Sequence, residues 1–542
     1  MRPITLSGFS GSNQAIDPRQ LPDTVGVWAE NLYPGLGDFR PLNNHLTVAT
    51  VPSSPQRNTI HRMGRDAVND ALYWLGWSGV IDATRGFGAD TSTERTFYTG
   101  DGTPKWTDNV IGLSGGPPYP QTSRELAMPA PTTAPTVALD VDGTGTAATR
   151  FYVETFVNDL GWESAPSPVS AGLVCKPGAT VNLTALATPP AGNYGFTARR
   201  IYRTQPGTGG DADFYFLREI SIGTTSTADD ARALGGLMAT QGFLPPPATG
   251  FGLITLWNSM MAIISGDGKV LHFCEAGYPY AYPLRYQKEL KDKGVTLRKW
   301  GQNLLALTTG VPMLFQGQDP AGMQDLPPGL AQACLSARGA VSFAHGVAWP
   351  SNEGLAYYGD RGRLLLTQDI LTAKQWRALN PSTMVAGRWG KFYVCSYDSG
   401  GGVLKGFMLD PLNPALGIVY LSSGFNACEY DEIADQLYVL EGGNVRKFAG
   451  DSTFMTATFT SKQFLQTHPT HYRAAKLVAS AYPVTLDIYA NSALKLTRSV
   501  ASRAGFTTPG GFLAEDWQMK ITGAKNVQVV RLATRMLDMK DV

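Results

Sequence analysis

Charge is scarce in this sequence. Asp, Glu, Lys and Arg make up 16% of its 542 residues, against about 25% in ordinary globular domains, which leaves little material for long solvated helices. The 45 basic and 44 acidic side chains leave a formal charge of +1, which excludes capture of nucleic acid or an anionic membrane by a global field. No stretch reaches the roughly 18 apolar residues of a membrane helix. Met1 to Ser10 has neither the basic start nor the apolar run of a signal peptide, so none is expected. The five cysteines, Cys175, Cys274, Cys334, Cys395 and Cys428, are odd in number, far apart and never in a C-x-x-C pair. That excludes a disulfide framework and a cysteine zinc site, and predicts reduced, buried thiols in a chain that matures in a cytoplasm.

Glycine is plentiful instead, at 60 positions, and many glycines with few charges predict turns between short strands. The length predicts two to four domains. Five β-rich cores recur between about residues 250 and 450: Met260 to Ile264, Leu304 to Leu307, Val347 to Trp349, Phe392 to Cys395 and Leu437 to Leu440. Their starts lie 44, 43, 45 and 45 residues apart. Each is followed by a turn and a second apolar run, as in Ser265-Gly266-Asp267-Gly268 before Val270 to Phe273, and Gly442-Gly443 before Val445 to Phe448. A period near 44 with a hairpin in every unit is the signature of propeller blades of about four strands. Ala71 to Leu75, Arg95 to Thr99 and Lys105-Trp106 read as one further blade. Strands from the Phe39 region complete or close the ring, for six or seven blades.

Residues 128–136, MPAPTTAPT, form a Pro/Thr linker. After it, Phe151 to Val157, Ala171 to Val174, Val181 to Leu186, Arg200 to Arg203 and Phe214 to Ile222 read as the strands of a small β-sandwich inserted between blades. A β-rich tail follows from about Phe454. In it Val484, Leu486 and Ile488 share one face of a strand, and Val527 to Leu532 makes another strand. Ahead of the propeller, Leu21, Val25, Trp28 and Leu32 fall on one face of an expected helix capped by Asp23. Gly35-Leu36-Gly37-Asp38 then turns the chain into an extended run from Phe39 to Leu42.

Reactive patterns are few. Gly112-Leu113-Ser114-Gly115-Gly116 matches G-x-S-x-G, yet Pro117-Pro118-Tyr119-Pro120 forbids the helix a nucleophile elbow requires. Asp140-Val141-Asp142-Gly143 starts a calcium loop without the spaced carboxylates that complete one. His468 and His471 have no Glu or Cys nearby to form a metal set. Asp159 and Glu163 flank Gly161-Trp162 in a hairpin turn and read as solvated charge, and KELKDKG at 288–294 reads as an exposed connector. The expectation is a chain with no catalytic residue, no cofactor and no metal. The rival class is a propeller glycosidase, which also uses carboxylate pairs. The S-x-D-x-G-x-T-W turns of sialidase-like blades are absent.

Pro18-Arg19-Gln20-Leu21-Pro22-Asp23, Ala29-Glu30-Asn31 and Gly37-Asp38-Phe39-Arg40-Pro41 resemble the start of the tail nozzle (tail tubular) proteins of short-tailed bacteriophages. Gly161 to Ser167 and Arg200-Ile201-Tyr202-Arg203-Thr204 are similar to the fibronectin-III-like sandwich those proteins carry. Trp349-Pro350-Ser351, Gly354-Leu355, Leu366-Thr367 and Gln375-Trp376 resemble their blade signatures. The resemblance implies an all-β chain: an anchor helix or arm at 1–36, a β-propeller at 37–127 and 245–451, an inserted sandwich at 128–244 and a C-terminal β-rich domain at 452–542. It also implies a homohexamer in the virion tail, assembled in the host cytoplasm. That ring would have an adaptor ring above it, fibre or tip proteins around it and DNA as cargo. The alternative is a tail-associated propeller that binds or degrades glycans.

Overall fold

The computed structural model describes residues 3–35, 37–64, 68–87, 94–206, 212–326 and 328–539. Nearly all of its regular structure is strand, and among the described residues the one α-helix is Ala373–Ala378. The chain divides into two compact units. One comprises 1–80, 298–315 and 325–542; the other comprises 81–297 and 316–324.

All five recurring cores land one strand in from the end of a sheet: Met261–Ser265, Asn303–Thr308, Gly346–Pro350 and Gln436–Glu441 in four-stranded sheets, and Phe392–Asp398 in a meander that belongs to a larger one. A second strand has neighbours on both sides and is covered on both faces, so it reads as a continuous apolar run rather than an alternating one. Gly346–Pro350 is buried at every position, and Phe392–Asp398 at all but its last. In the first unit, Ala427–Asp431, Gln436–Glu441 and Asn444–Lys447 form an antiparallel meander whose outermost strand is Leu46–Thr50, from the opposite end of the chain. The strand that completes this sheet is therefore N-terminal, as expected, but begins beyond Phe39.

The expected blade built from Ala71 to Leu75, Arg95 to Thr99 and Lys105-Trp106 is corrected. Trp74–Trp77 pairs with Thr59–Arg62, whereas Arg95–Thr99 and Lys105–Asp108 are the inner strands of a different sheet, between Asp82–Arg85 and Arg124–Glu125. Ala71 and Leu72 are exposed in a turn, with the Ala71 N–H donating to the Asn69 carboxamide oxygen at 3.1 Å. Short apolar runs carry no label of the partner they will pair with.

The opening segment is not a helix. Turns at Asp17 to Gln20 and Pro22 to Val25 lead into a short strand, Trp28–Glu30. The N–H groups on either side of that strand are committed to carbonyls of other segments rather than to a helical ladder: Gly26 to Gly11 at 3.1 Å, Val27 to Thr460 at 2.9 Å and Asn31 to Tyr420 at 2.9 Å. A Cβ on Gly26 would stand 2.6 Å from the Thr460 oxygen, so the close approach requires glycine. Leu21, Val25 and Leu32 are nevertheless buried, and Trp28 stacks on Tyr420 at 4.3 Å. Asp23, expected as the helix cap, is paired with Lys462 at 3.0 Å. Leu36, in the expected turn, lies outside the described residues, as do Met1 and Arg2 of the expected leaderless start. Phe39 continues the segment by exchanging backbone hydrogen bonds with Val527 at 2.8 and 2.9 Å.

Trp28–Glu30 lies parallel to Val419–Leu421 on one side and antiparallel to Ala457–Thr460 on the other. It thereby fuses the meander that starts at Val385–Trp389 to the C-terminal strands Ala514–Gly523, Val484–Ala490 and Ala493–Val500 in one ten-stranded sheet. A second C-terminal sheet orders Ile4–Leu6, Val527–Ala533, Ala474–Ala479 and Phe506–Thr507. Leu6, Phe9, Leu32 and Phe39 join Leu486, Ile488, Trp517 and Leu532 in one core. The C-terminal domain thus contains N-terminal strands. Along Val484–Ala490 buried and half-buried residues alternate as expected.

The second unit holds the sandwich. Thr136–Val141, Thr180–Thr184 and Thr227–Asp229 form one sheet, and Tyr152–Asn158, Phe196–Pro206 and Ala212–Ser221 the other. Tyr152, Val181, Leu183, Ile201 and Leu217 fill the space between them.

Candidate functional site

Ser114 is exposed. Its hydroxyl donates to the Ile111 carbonyl at 3.0 Å and no helix follows it, so the elbow is absent. Asp142 accepts from the Gly143 N–H at 2.9 Å and the Lys176 N–H at 3.0 Å, and these bonds, chiefly that of Lys176, lower its pKa. Asp140 is exposed beside it. His468 is exposed, and His471 Nε2 donates to the Pro509 carbonyl at 2.7 Å. Among the described residues no three His, Cys, Asp or Glu side chains converge as metal ligands. In KELKDKG, Lys288 and Glu289 belong to the outer strand Gln287–Glu289 and Leu290 is buried. The reading of that stretch as an exposed connector is therefore corrected: pairing with Val270–Phe273 makes its first part a strand.

Glu163 is the largest departure from expectation. It is 7% exposed, not a solvated turn charge. Its carboxylate accepts from the Thr155 hydroxyl at 2.7 Å, the Tyr202 hydroxyl at 2.6 Å and Arg200 Nη1 at 2.6 Å, and its own N–H donates to the Tyr280 hydroxyl at 3.1 Å. Burial, reinforced by the Glu163 carboxylate, raises the Tyr202 phenol far above its ordinary pKa, which makes it a permanent donor. Asp159 is ion-paired with Arg124. Between them Trp162 is inserted among Tyr280 at 5.0 Å, Trp106 at 5.4 Å and Phe97 at 6.5 Å. The sandwich hairpin is thus keyed into the sheets at Arg95–Thr99 and Lys105–Asp108 and the loop after Val270–Phe273, within the same unit.

The first unit carries a polar cleft of about 530 Å³ that no sequence pattern marked. Glu30, Asn31, Asn44, His45, Ser422, Glu441, Arg446 and Asp451 line it. His45 Nδ1 lies 2.8 Å from Glu441 Oε1, and Arg446 Nη1 lies 3.0 Å from Glu441 Oε2. The Asn31 carboxamide donates to Ser422 at 2.9 Å and to the Thr456 carbonyl at 3.0 Å. Hydrogen bonds from the Thr453 hydroxyl and the Ser452 N–H keep Asp451 below the usual carboxylate range. Among the described residues, His45 Nε2 is buried with no hydrogen-bond partner, so no described hydroxyl or thiol completes a triad with the Glu441–His45 pair. The cleft can bind polar groups and hold the sheets together. His45 and Glu441 stand 396 residues apart, and only the pairing of Leu46 with Lys447 brings them together.

No family model matches the chain, and no curated protein sequence does. Solved structures similar to it include the AfRom2 CNH domain, at 10% identity and a TM-score of 0.24, covering 58% of this chain and 93% of that one. PorZ of Porphyromonas gingivalis, a surface component of the type-IX secretion system, is 10% identical over 91% of this chain and 81% of its own, at a TM-score of 0.25. Trypanosoma rangeli sialidase is 8% identical over 94% of this chain and 98% of its own, at 0.18.

Proposed function

We propose that this chain is a structural virion protein, the tail nozzle of a short-tailed bacteriophage. In this reading it forms a homohexameric ring on the tail axis, with an adaptor ring above, fibre or tip proteins around it and DNA passing through as cargo. It is assembled in the host cytoplasm and performs no catalysis. One observation carries the reading: the residues that bear the resemblance and the polar residues weighed for chemistry are spent on architecture. Leu21 is buried, Asn31 ties Ser422 to Thr456, Phe39 pairs with Val527 and Glu163 accepts three side-chain hydrogen bonds. Near-neutral charge supports it as well, since a lumen lined with unpaired lysine and arginine would hold DNA instead of letting phosphates pass.

Electron microscopy of the purified chain and of virions carrying it tests the reading. A sixfold ring on the tail axis is expected. Peripheral trimers, or release of reducing sugars from host polysaccharide, would replace it with the glycan-directed alternative.

A further inference from the structure

Several strands end a sheet, and two of the longer ones expose apolar side chains. Ala493–Val500 ends the ten-stranded sheet of the first unit, and Thr136–Val141 ends the three-stranded sheet of the sandwich. Among the described residues, neither has a strand on its outer side. Both are apolar for exposed edges: Leu494 is 53% exposed, Leu139 41% and Val141 60%. Such edges are templates for pairing with another chain, and proteins keep them short, cover them, or set charges and bulges on them that turn away unsuitable partners. This molecule covers another of its edges in that way. The outer side of Ala212–Ser221 is closed by residues 235–238, through Gly235 to Phe216 at 2.7 Å, Phe216 to Gly236 at 2.9 Å and Met238 to Phe214 at 2.9 Å.

The two open edges differ in charge. Ala493–Val500 carries Lys495 and Arg498, whereas Thr136–Val141 carries Asp140, with Asp142 just beyond it. Each strand also has a bulge at its charge. Lys495 is the residue skipped between Leu494 and Leu496 in the pairing with Val484–Ala490, and Asp140 is the one skipped between Leu139 and Val141 in the pairing with Thr180–Thr184. Like charges directly opposite one another destabilise a strand pair, so each edge resists its own kind and accepts the other.

We propose that the occupant of each edge is a second copy of this chain: Ala493–Val500 of one copy pairs antiparallel with Thr136–Val141 of the next. Setting Asp140 opposite Lys495 places Leu139 against Leu496, Val141 against Leu494 and Ala138 against Thr497. The contact joins two different surfaces, so it is heterologous and propagates into a ring where the rotation closes. It rests on the ring reading above and names the strands that would build the ring.

The test uses the full chain with Asp140→Lys, Lys495→Glu, or both. Sedimentation velocity over a concentration series should show each single variant associating roughly fivefold to tenfold more weakly per contact than the parent. An equimolar mixture of the two, and the chain carrying both, should recover the parent's association. Asp140 is exposed, so the Asp140→Lys melting curve should coincide with the parent's, whereas Lys495→Glu also gives up a contact 5.0 Å over the Phe512 ring. A chain carrying Ala138→Cys and Thr497→Cys should give a covalent ladder under diamide, and either cysteine alone should not. A parent chain that stays monomeric and gives no ladder overturns the proposal, as does a ladder from one cysteine alone. Hexamers on the tail axis that form equally in every charge variant would remove this contact and leave the nozzle standing. Open filaments cross-linked at 138 and 497 would keep the contact and remove the nozzle.

Discussion

Burial decides the chemistry of single side chains here. Cys274 and Cys334 are buried, and burial pushes both thiols up to about 12. A raised pKa keeps the thiol protonated across the neutral range, and the thiolate is the reactive form. At pH 8 a maleimide should leave these two unmodified in the native chain and label them after urea unfolding; labelling at equal rates in both states would contradict this. Their place inside was readable from isolated cysteines set in apolar runs. Glu163 was not readable. Flanked by Gly161 and Trp162 it looks like a turn charge, and it is buried only because Thr155, Tyr202 and Arg200 arrive from paired strands. Glu163→Gln turns an amide nitrogen toward donors and leaves Arg200 without this carboxylate, at a cost of about 2–3 kcal/mol. The urea midpoint should fall accordingly, and an unchanged midpoint would mean that the carboxylate is dispensable.

Strands covered on both faces were legible, and strands whose neighbours come from afar were not. Leu304 to Leu307 and Val347 to Trp349 announce themselves as unbroken apolar runs at a fixed interval. Trp74–Trp77 and Arg95–Thr99 look equally like strands, yet nothing within them separates one sheet from the other. The sandwich was legible as an insertion, but its attachment was not. Trp162 reaches Trp106, Phe97 and Tyr280, and Arg124 reaches Asp159. Trp162→Ala should cost about 3 kcal/mol and make the 136–229 strands exchange amide hydrogens independently of the Arg95–Thr99 sheet. Replacing 130–240 by a Gly/Ser bridge should then leave a chain with a lowered melting temperature that binds a hydrophobic dye, because Trp106 and Tyr280 lose their cover. Melting identical to the parent would show the insertion to be merely tethered.

The opening segment holds the first unit together from both sides. Ile4–Leu6 pairs with Val527–Ala533, and Trp28–Glu30 bridges Val419–Leu421 and Ala457–Thr460. Leu32 is fully buried in their shared core, so Leu32→Ala should cost about 3 kcal/mol. Deleting residues 3–32 should leave the 457–533 strands unprotected in hydrogen exchange, and full protection without that segment would refute the bridging role. N-terminal and C-terminal strands share these sheets, so drawing them apart must break backbone hydrogen bonds.

Composition, interval and alternation were enough for an all-β chain, a repeated four-stranded unit, an inserted sandwich and a half-buried C-terminal strand, because each of these is written in residues close together along the chain. The helix expected at Leu21 to Leu32 failed for the complementary reason. Its apolar spacing of three and four is a local sign, but the N–H groups of Gly26, Val27 and Asn31 are satisfied by carbonyls at positions 11, 460 and 420. A backbone donor has one hydrogen to give, and folding gave it to partners outside the local turn, two of them hundreds of residues away. The Glu441–His45 cleft and the burial of Glu163 belong to the same class, since each depends on strand register, and register is settled only when the sheets pack.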